Sequence, residues 1–266
     1  MLAISRIITT ISFTASVFKL FKNKSPNLPF PENKDYFCRN LFSLMKTDNI
    51  HFNENDRIFY NDGYELAQSA IQQGFTKETL FAAIESLYAA IDRLNDSIVA
   101  LAKRQKSDVA CFNGCHWCCH QAVFANSYEI HYLSEKIKAK FTSKELDALI
   151  VRTKTKYAKT SELNEAEILN YKAPCPLLKE GSCSIYASRP MACRIYLSTK
   201  LETCLEFYNH PDNTDNYPAL IDFPLRAGQM MNEGFRAALK EFEIETAEFR
   251  LEEGLHITLR NDQVSF

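Results

Sequence analysis

Eight of the nine cysteines in this sequence fall into two clusters. The first cluster occupies Cys111–Cys119, which reads CFNGCHWCC and spaces its four cysteines as C-x3-C-x2-C-C. The second cluster is more widely spread and comprises Cys175, Cys183, Cys193 and Cys204. A thiolate is a soft ligand, and clustered thiolates select zinc, copper(I) or iron–sulfur clusters. The pattern therefore predicts that the two clusters are halves of one metal centre.

Disulfide bonds are the alternative use for so many cysteines. Disulfide frameworks are typical of short secreted chains, whereas this chain has 266 residues. The adjacent pair Cys118 and Cys119 also suits chelation better than bridging. Because neighbouring residues direct their side chains apart, we expect these two thiolates to serve different metal ions, or one of them to bridge. The predicted ligands are Cys111, Cys115, Cys118, Cys119, Cys175, Cys183, Cys193 and Cys204, enough for two tetrahedral sites or one bridged cluster.

Two arginines, Arg189 and Arg194, lie on either side of Cys193 in the segment that has to enclose the metal. Four thiolates on one zinc ion leave about two negative charges, which are costly to bury without hydrogen bonds and cations. We therefore expect both guanidinium groups to donate hydrogen bonds to sulfur or to backbone carbonyls near the metal. His116 and His120 lie in or beside the first cluster and could replace a thiolate. With eight cysteines available, we expect each histidine instead to lie beside the metal ligands or at the surface.

The overall composition is that of an ordinary soluble globular protein, with 46% hydrophobic and 24% charged residues. The formal net charge of −2 lacks the strong basic excess of nucleic-acid binders, so we expect no nucleic-acid partner. The 7 glycines are few for a nucleotide-binding α/β fold, which depends on glycine-rich turns.

The N-terminal residues 1–18 are apolar, but they are too few for a membrane span of about 20 residues. Serine and threonine dilute this stretch, so we expect a packed or loosely attached helix, with a targeting signal as the alternative. Three prolines in Ser25–Pro31 indicate a linker, and residues 1–31 are interpreted as an apolar segment with its linker. The ninth cysteine, Cys38, is expected to be a buried apolar residue. Export would expose eight thiolates to an oxidising compartment, so we expect a cytoplasmic protein without an integral membrane span.

One long helix is predicted directly before the first cysteine cluster. Its apolar residues follow a strict 4-3 spacing over three heptads, after Thr76 as the N-cap: Leu80, Ile84, Leu87, Ile91, Leu94, Ile98 and Leu101. The simplest interpretation is a core helix of a bundle. The alternative is a coiled coil that makes residues 80–101 the contact with a protein partner or a second copy of the chain.

Capping pairs predict two further helices after the first cluster, one from Asn126 and Glu129 and one from Thr142 and Glu145. Residues 171–199 contain three prolines and Gly181, so this segment is predicted to be irregular and tied down by metal.

The predicted fold is all-α, because strands and helices do not alternate in quantity anywhere in the sequence. We expect a helical bundle with an irregular, metal-bound, cysteine-rich insert. Residues 32–266 are interpreted as a single helical domain, and 108–205 as its metal-binding region.

The first three cysteines, with Trp117 before the third, also fit the C-x3-C-x-aromatic-C signature of radical S-adenosylmethionine enzymes. In those enzymes three cysteines hold a [4Fe–4S] cluster. Their motif follows a barrel strand, whereas here a heptad helix precedes it and no βα units follow. The context therefore disfavours this interpretation.

The second cluster lies in the sequence CPLLKEGSCSIYASRPMACR, which begins at Cys175. Together with the first block and Cys204, this sequence resembles the hallmark of the CxxCxxCC cysteine-cluster family, the YkgJ-like zinc- or iron-chelating proteins. The resemblance covers about residues 108–205, includes all eight clustered cysteines, and places Glu129 at the family's acidic position.

The resemblance implies a metal-binding protein that holds zinc, iron or an iron–sulfur cluster through these eight cysteines. Some members are described as flagellin lysine N-methylases. The alternative function is therefore a metal-cluster enzyme, either an S-adenosylmethionine-dependent protein lysine N-methylase or an iron–sulfur redox protein. The spacing of the other polar residues does not identify a catalytic arrangement.

Overall fold

A computed structural model of the chain describes residues 53–107, 109–112, 114–213 and 217–260. Within these ranges the protein consists mainly of α-helices, together with two small antiparallel sheets, so the predicted all-α class is confirmed. The N-terminal segment 1–31 and Cys38 lie outside the described residues. None of the described helices has the length and apolar character needed to cross a membrane.

The helices and strands are numbered here in chain order. The helices are α1 (Glu54–Gln72), α2 (Lys77–Arg104), α3 (Ser127–Lys140), α4 (Ser143–Thr160), α5 (Glu165–Asn170), α6 (Met191–Arg194), α7 (Leu201–Asn209), α8 (Asp222–Glu241) and α9 (Leu251–Thr258). The strands are β1 (Phe124–Asn126), β2 (Leu178–Lys179), β3 (Ser182–Cys183) and β4 (Glu248–Arg250). Two 3-10 turns, Trp117–His120 and Tyr186–Ser188, complete the cysteine-rich segments.

Helix α2 begins where the sequence predicts, because the Thr76 hydroxyl accepts a hydrogen bond from the Thr79 amide. The first four heptad residues are buried inside the chain at 1% exposure or less: Leu80, Ile84, Leu87 and Ile91. Leu94, Ile98 and Leu101 are half-buried. The first four heptad residues thus pack into the bundle, as expected of a core helix. Contact of the later heptad residues with a protein partner or a second copy of the chain stays a prediction.

The cysteine-rich segments rest on a core formed by α3, α4 and α9. Its fully buried side chains include Leu133, Ile137, Leu149 and Leu255. Strand β1 pairs antiparallel with β4, with Ala125 opposite Phe249, and this pairing joins the start of α3 to the chain just before α9. Cys175 and Cys183 pack against the same core, which fixes the second cysteine cluster relative to the helices.

Two glycines allow α1 and α8 to pack backbone against backbone. A Cβ atom on Gly63 would lie 1.9 Å from the carbonyl oxygen of Met231, and one on Gly234 would lie 1.8 Å from that of Tyr60. Real Cβ atoms do not approach other heavy atoms this closely. Any larger residue at either position therefore has to push the two helices apart.

The substitution Gly63→Ala is expected to lower the free energy of unfolding by about 1–3 kcal/mol, the usual cost of overpacking. This loss outweighs the gain of about 1 kcal/mol that alanine brings to a helix, because a backbone carbonyl cannot turn aside. In Gly254→Ala, the matched control on α9, the added Cβ meets only the Ile130 side chain, at 2.8 Å or more. Urea unfolding measures both variants, and equal losses would contradict the close helix contact.

Candidate metal centre

Backbone hydrogen bonds bring the two cysteine clusters together. The Cys175 amide donates to the Cys119 carbonyl at 2.7 Å, and the Ala173 amide donates to the His120 carbonyl at 3.0 Å. The chain before Cys111 is joined in the same way to a later segment, since the Ala110 amide donates to the Ser198 carbonyl at 2.8 Å. Segments more than fifty residues apart thus meet in the one region that sequence spacing predicts.

Cys111 and Cys204 meet through Ser198. The Ser198 amide donates to the Cys111 sulfur at 3.2 Å, and the Ser198 side chain lies beside the Cys204 thiol, whose pKa it lowers. Burial raises the pKa of both thiols, and the neighbouring Cys115 raises both further. The thiol of Cys111 in turn lies 3.7 Å from the Tyr196 carbonyl oxygen. Cys111, Cys115 and Cys204 therefore form one group of neighbouring thiols.

The hairpin of β2 and β3 organises a second group of thiols. Leu178 pairs with Cys183, and the Leu178 amide donates to the Cys175 carbonyl at 2.9 Å, so the hairpin folds Cys183 back towards Cys175. Burial raises the pKa of Cys193 well above its usual value, and the nearby Cys175, Cys119 and Cys183 thiols raise it further. These four thiols are neighbours.

Amide hydrogens of the backbone are directed at the sulfurs of the hairpin. Burial raises the pKa of Cys175 to about 12, while the Leu177 amide donates to its sulfur and favours the thiolate. Burial also raises the pKa of Cys183, while the hydrogen bond from the Ile185 amide to its sulfur lowers it. Each donor lies two residues after its cysteine. Hydrogen bonds to sulfur are among the contacts that tune thiolate-bound metals.

The adjacent thiols Cys118 and Cys119 lie where the two groups meet. Cys118 donates a hydrogen bond to Cys119, which raises the pKa of Cys118 and lowers that of Cys119. Cys118 also has Cys111 and Cys193 as neighbours. Cys119 lies beside the thiols of the hairpin.

All eight cysteines are free thiols rather than disulfides. Within the described ranges, however, no three histidine, cysteine, aspartate or glutamate side chains already converge into a metal-binding geometry. The donor chemistry nevertheless fits a thiolate-bound metal, because the sulfurs are neighbours and accept amide hydrogen bonds. Since thiols have to lose their protons to bind, metal and final geometry are expected to form together.

The segment at residues 110–215 matches the model of the CxxCxxCC family, described as a "putative zinc- or iron-chelating domain". The match encloses all eight clustered cysteines, so the resemblance read from the sequence is confirmed. Comparisons with curated proteins and with solved structures gave no match.

Two lysines of the matched segment that sequence reasoning missed lie beside the hairpin thiols. Lys156 of α4 is 9% exposed, and its Nζ donates to the Ala173 carbonyl at 3.1 Å. Lys140 of α3 donates to the Ser184 carbonyl at 2.9 Å. The available signal was periodicity: Lys156 follows Leu149 by seven residues and so occupies the apolar face of its helix, an unusual place for a lysine.

The arginines predicted to donate to sulfur or carbonyls both donate to backbone carbonyls of the cysteine-rich segment. Arg189 donates to the Tyr186 carbonyl at 2.9 Å, and its charge favours the thiolates of the hairpin group. Arg194 donates to the Arg189 carbonyl at 2.8 Å and to the Ala187 carbonyl at 2.5 Å.

Arg194 also anchors the segment around Cys193 to the long helix α2. Its guanidinium pairs with Asp92 and lies 4.1 Å from the ring centroid of Tyr88. The Arg194 side chain is almost completely buried, which is unusual for arginine and requires these partners. Arg194 therefore holds the cysteine-rich segment against α2.

The buried carboxylate of Glu129 joins the cysteine-rich segment to the helices on either side of it in sequence. Its oxygens accept hydrogen bonds from the Met191 amide at 2.8 Å, the Tyr88 hydroxyl at 2.9 Å and the Asn126 amide at 3.1 Å. The Asn232 side chain donates to it at 3.4 Å. Met191 begins the short helix that carries Cys193, so Glu129 positions a predicted ligand relative to α2 and α8.

The two histidines of the first block lie in an aromatic cluster. The His116 and His120 ring centroids are 5.6 Å apart, and the Tyr208 ring is 5.0 Å from that of His120 and 5.1 Å from that of Trp117. The Nδ1 atom of His120 lies 3.1 Å from the His116 carbonyl oxygen. These contacts account for His120 through packing, without assigning it to a metal.

Lys172 is a half-buried cation three residues before Cys175. Its Nζ donates to the Leu169 carbonyl at 2.9 Å and lies 3.9 Å from the ring centroid of Phe207. Burial lowers its pKa from 10.5 to about 8. The folded protein therefore releases this proton at a lower pH than the unfolded chain does.

Between pH 8 and pH 10.5, the unfolded chain holds this proton more tightly, so the contribution of Lys172 to stability rises with pH. We expect the stability of the unmodified protein, relative to that of Lys172→Met, to increase across this window. Urea unfolding of both proteins at several pH values measures the difference. Lys154→Met, which changes an exposed lysine of α4, is the control, and a difference that does not change with pH would contradict the buried charge.

Proposed function

We propose that this protein binds zinc or iron through the eight clustered cysteines, and that the metal fixes the cysteine-rich segments on the helical bundle. The observation that carries the proposal is that backbone hydrogen bonds join the two cysteine clusters, whose eight cysteines are all free thiols in a segment that matches a zinc- or iron-chelating family. The proposed ligands are Cys111, Cys115, Cys118, Cys119, Cys175, Cys183, Cys193 and Cys204.

The surroundings of the sulfurs support metal binding rather than simple packing. Free cysteines that serve as small apolar residues do not require amide donors. Here backbone amides donate to the sulfurs of Cys111, Cys175 and Cys183. Such donors stabilise thiolates, the form that a metal binds.

The identity of the metal decides between the structural and the redox interpretation. Protein purified without oxygen is expected to be colourless if it holds zinc, and the proposed role is then to stabilise the fold. Brown protein that loses its visible absorption in air would assign an iron–sulfur centre. In that case the alternative function, a redox or methyl-transfer enzyme, would replace the structural role.

Alkylation with mass spectrometric mapping tests the ligand set directly. In the metal-loaded protein, we expect the eight clustered cysteines to resist a thiol reagent and to react after a strong chelator has removed the metal. Cys38 lies outside the family match and is the internal control, because its reactivity should not follow metal removal. Equal reactivity of the eight thiols before and after chelation would refute the proposal.

A further inference from the structure

One stretch of α4 is strongly basic. Residues 151–159 contain four cations and no carboxylate. Two of the cations, Arg152 and Lys156, donate to backbone carbonyls of the cysteine-rich segment. The other two, Lys154 and Lys159, are exposed, and neither has an ion-pair partner among the residues that the structure describes. Half of the positive charge of this stretch therefore faces solvent without an opposite charge.

The two exposed lysines border an apolar groove on the outer face of α4. Val151, Thr155 and Ala158 line this α4 groove together with Lys154 and Lys159. The Val151 side chain is 63% exposed, which is high for a large apolar residue of a helix. An apolar centre inside a charged rim is the composition of a protein–protein contact.

The segment that joins α8 to β4 has the opposite charge. Residues 241–248 read EFEIETAE, with four carboxylates and no cation, and form what we call the acidic loop. Glu243 and Glu245 are exposed and have no ion-pair partner in the described ranges. Phe242 is 43% exposed beside them. The acidic loop thus presents an aromatic side chain between unpaired carboxylates, which complements the α4 groove in both charge and polarity.

The acidic loop is held at both ends. At its start the Ile244 amide donates to the Leu239 carbonyl at 2.9 Å, and Glu243 has a left-handed φ of 60°. This arrangement is a common way to end a helix, although its left-handed position favours glycine. Near its end the Ser127 amide donates to the Ala247 carbonyl at 2.7 Å. A loop held in this way loses little conformational entropy on binding.

The α4 groove and the acidic loop border the same end of α4. Arg250, at the end of β4, donates to the carbonyl of Thr160, the last residue of α4, at 3.0 Å. Within one copy of the chain, however, no ion pair among the described residues joins the lysines of the groove to the glutamates of the loop. Each surface is therefore available to a second copy.

We infer that the protein forms a twofold dimer, in which the acidic loop of each copy docks on the α4 groove of the other. Phe242 is the apolar anchor over Val151, and the glutamates of the loop pair with the lysines of the groove. A twofold contact uses the same two surfaces on both copies, so it closes at two subunits. The contact is small, and interfaces below about 1,200 Å² form weak, reversible complexes. This dimer is a property beyond metal binding and does not rest on it.

Sedimentation velocity of the full-length protein over a concentration series tests the dimer. A reductant is present, so that disulfide-linked copies do not contribute. We expect a reversible monomer–dimer equilibrium that weakens as salt is added, because salt screens exposed charges. Protein that stays monomeric at every concentration, or that grows beyond two subunits, would overturn the inference.

Removal of the aromatic anchor tests the position of the contact. Phe242→Ala is expected to raise the dissociation constant of the dimer by about tenfold or more, as truncation of a central aromatic side chain does. The matched control is Phe223→Ala at the opposite end of α8, where the side chain is 44% exposed. This control should leave the dissociation constant unchanged. Equal effects of the two substitutions would contradict the proposed contact.

A charge swap tests the pairing itself. Lys154→Glu/Lys159→Glu and Glu243→Lys/Glu245→Lys each place like charges at both contacts, so each variant alone is expected to be monomeric. An equimolar mixture restores opposite charges at both contacts and should form the mixed dimer. Because only folded proteins can pair in this way, recovery also excludes unfolding as the cause of the loss. A mixture that stays monomeric, or a single variant that dimerises like the unmodified protein, would overturn the inference.

A reversal of charge on α2 is the control for the swap. Lys103→Glu/Arg104→Glu changes two exposed cations at the end of the long helix. We expect the dimer to be unaffected, because these residues lie outside the α4 groove. Loss of the dimer in this variant alone would place the contact on α2 and overturn the assignment to α4.

Discussion

Complete removal of the metal is expected to unfold the cysteine-rich segments and to lower the melting temperature of the protein sharply. A structural zinc contributes about 10–16 kcal/mol of apparent binding free energy in small metal-dependent domains. This is comparable to the whole stability of a typical domain, about 5–15 kcal/mol. The segment 171–199 contains only β2, β3, a 3-10 turn and the short α6, so no long helix or extended sheet of its own would hold it without metal.

Circular dichroism melting before and after treatment with a strong chelator measures this effect. The same chelator already saturated with metal is the control for direct effects of the reagent. The apparent stabilisation should also decline as the pH falls, because protons compete with the metal for thiolates. An unchanged melting curve, with metal removal verified by elemental analysis, would exclude a structural role for the metal.

Replacing Glu129 by alanine is expected to cost about 3 kcal/mol or more of unfolding free energy, since each buried donor left without a partner costs about 1–3 kcal/mol. The Tyr88 hydroxyl and the Met191 amide both lose their acceptor, and neither is open to solvent. Because Met191 begins the helix that carries Cys193, the variant should also release its metal faster.

The control for this variant is Glu135→Ala on the same helix. Glu135 pairs with Lys77 near the surface, where an ion pair typically contributes about 1 kcal/mol or less. Urea unfolding gives the stability of both variants, and metal release into excess chelator gives the second effect. Similar losses in the two variants would show that the Glu129 network does not anchor the cysteine-rich segment.

Local signals predicted the helices well because each depends on a few neighbouring residues. Thr76 caps α2 and Thr142 caps α4 as predicted. The Asn126 and Glu129 pair also lies at the start of α3. The capping pattern could not reveal that the Glu129 carboxylate also accepts hydrogen bonds from distant parts of the chain. Its other partners, Tyr88, Met191 and Asn232, come from three distant segments, and their meeting depends on the tertiary fold.

The candidate site shows the same division between local and distant information. Spacing and the soft chemistry of thiolates were enough to predict the eight ligands, which stay a prediction until metal is measured. Lys156 lies beside the hairpin thiols only because α4 packs against that segment, which the sequence does not show. Sequence proximity to Cys193 pointed instead to Arg189 and Arg194 as the cations near the metal. Likewise, the contact between Gly63 and Met231 is a property of two helices more than 150 residues apart.

Elemental analysis of protein purified without oxygen, combined with its absorption spectrum, tests the central claim most directly. The account predicts zinc or iron in stoichiometric amount, retained through gel filtration and reduced when either Cys183 or Cys204 is changed to serine. Folded protein that carries no metal, takes up none from added zinc or iron, and keeps its melting temperature in a strong chelator would contradict it.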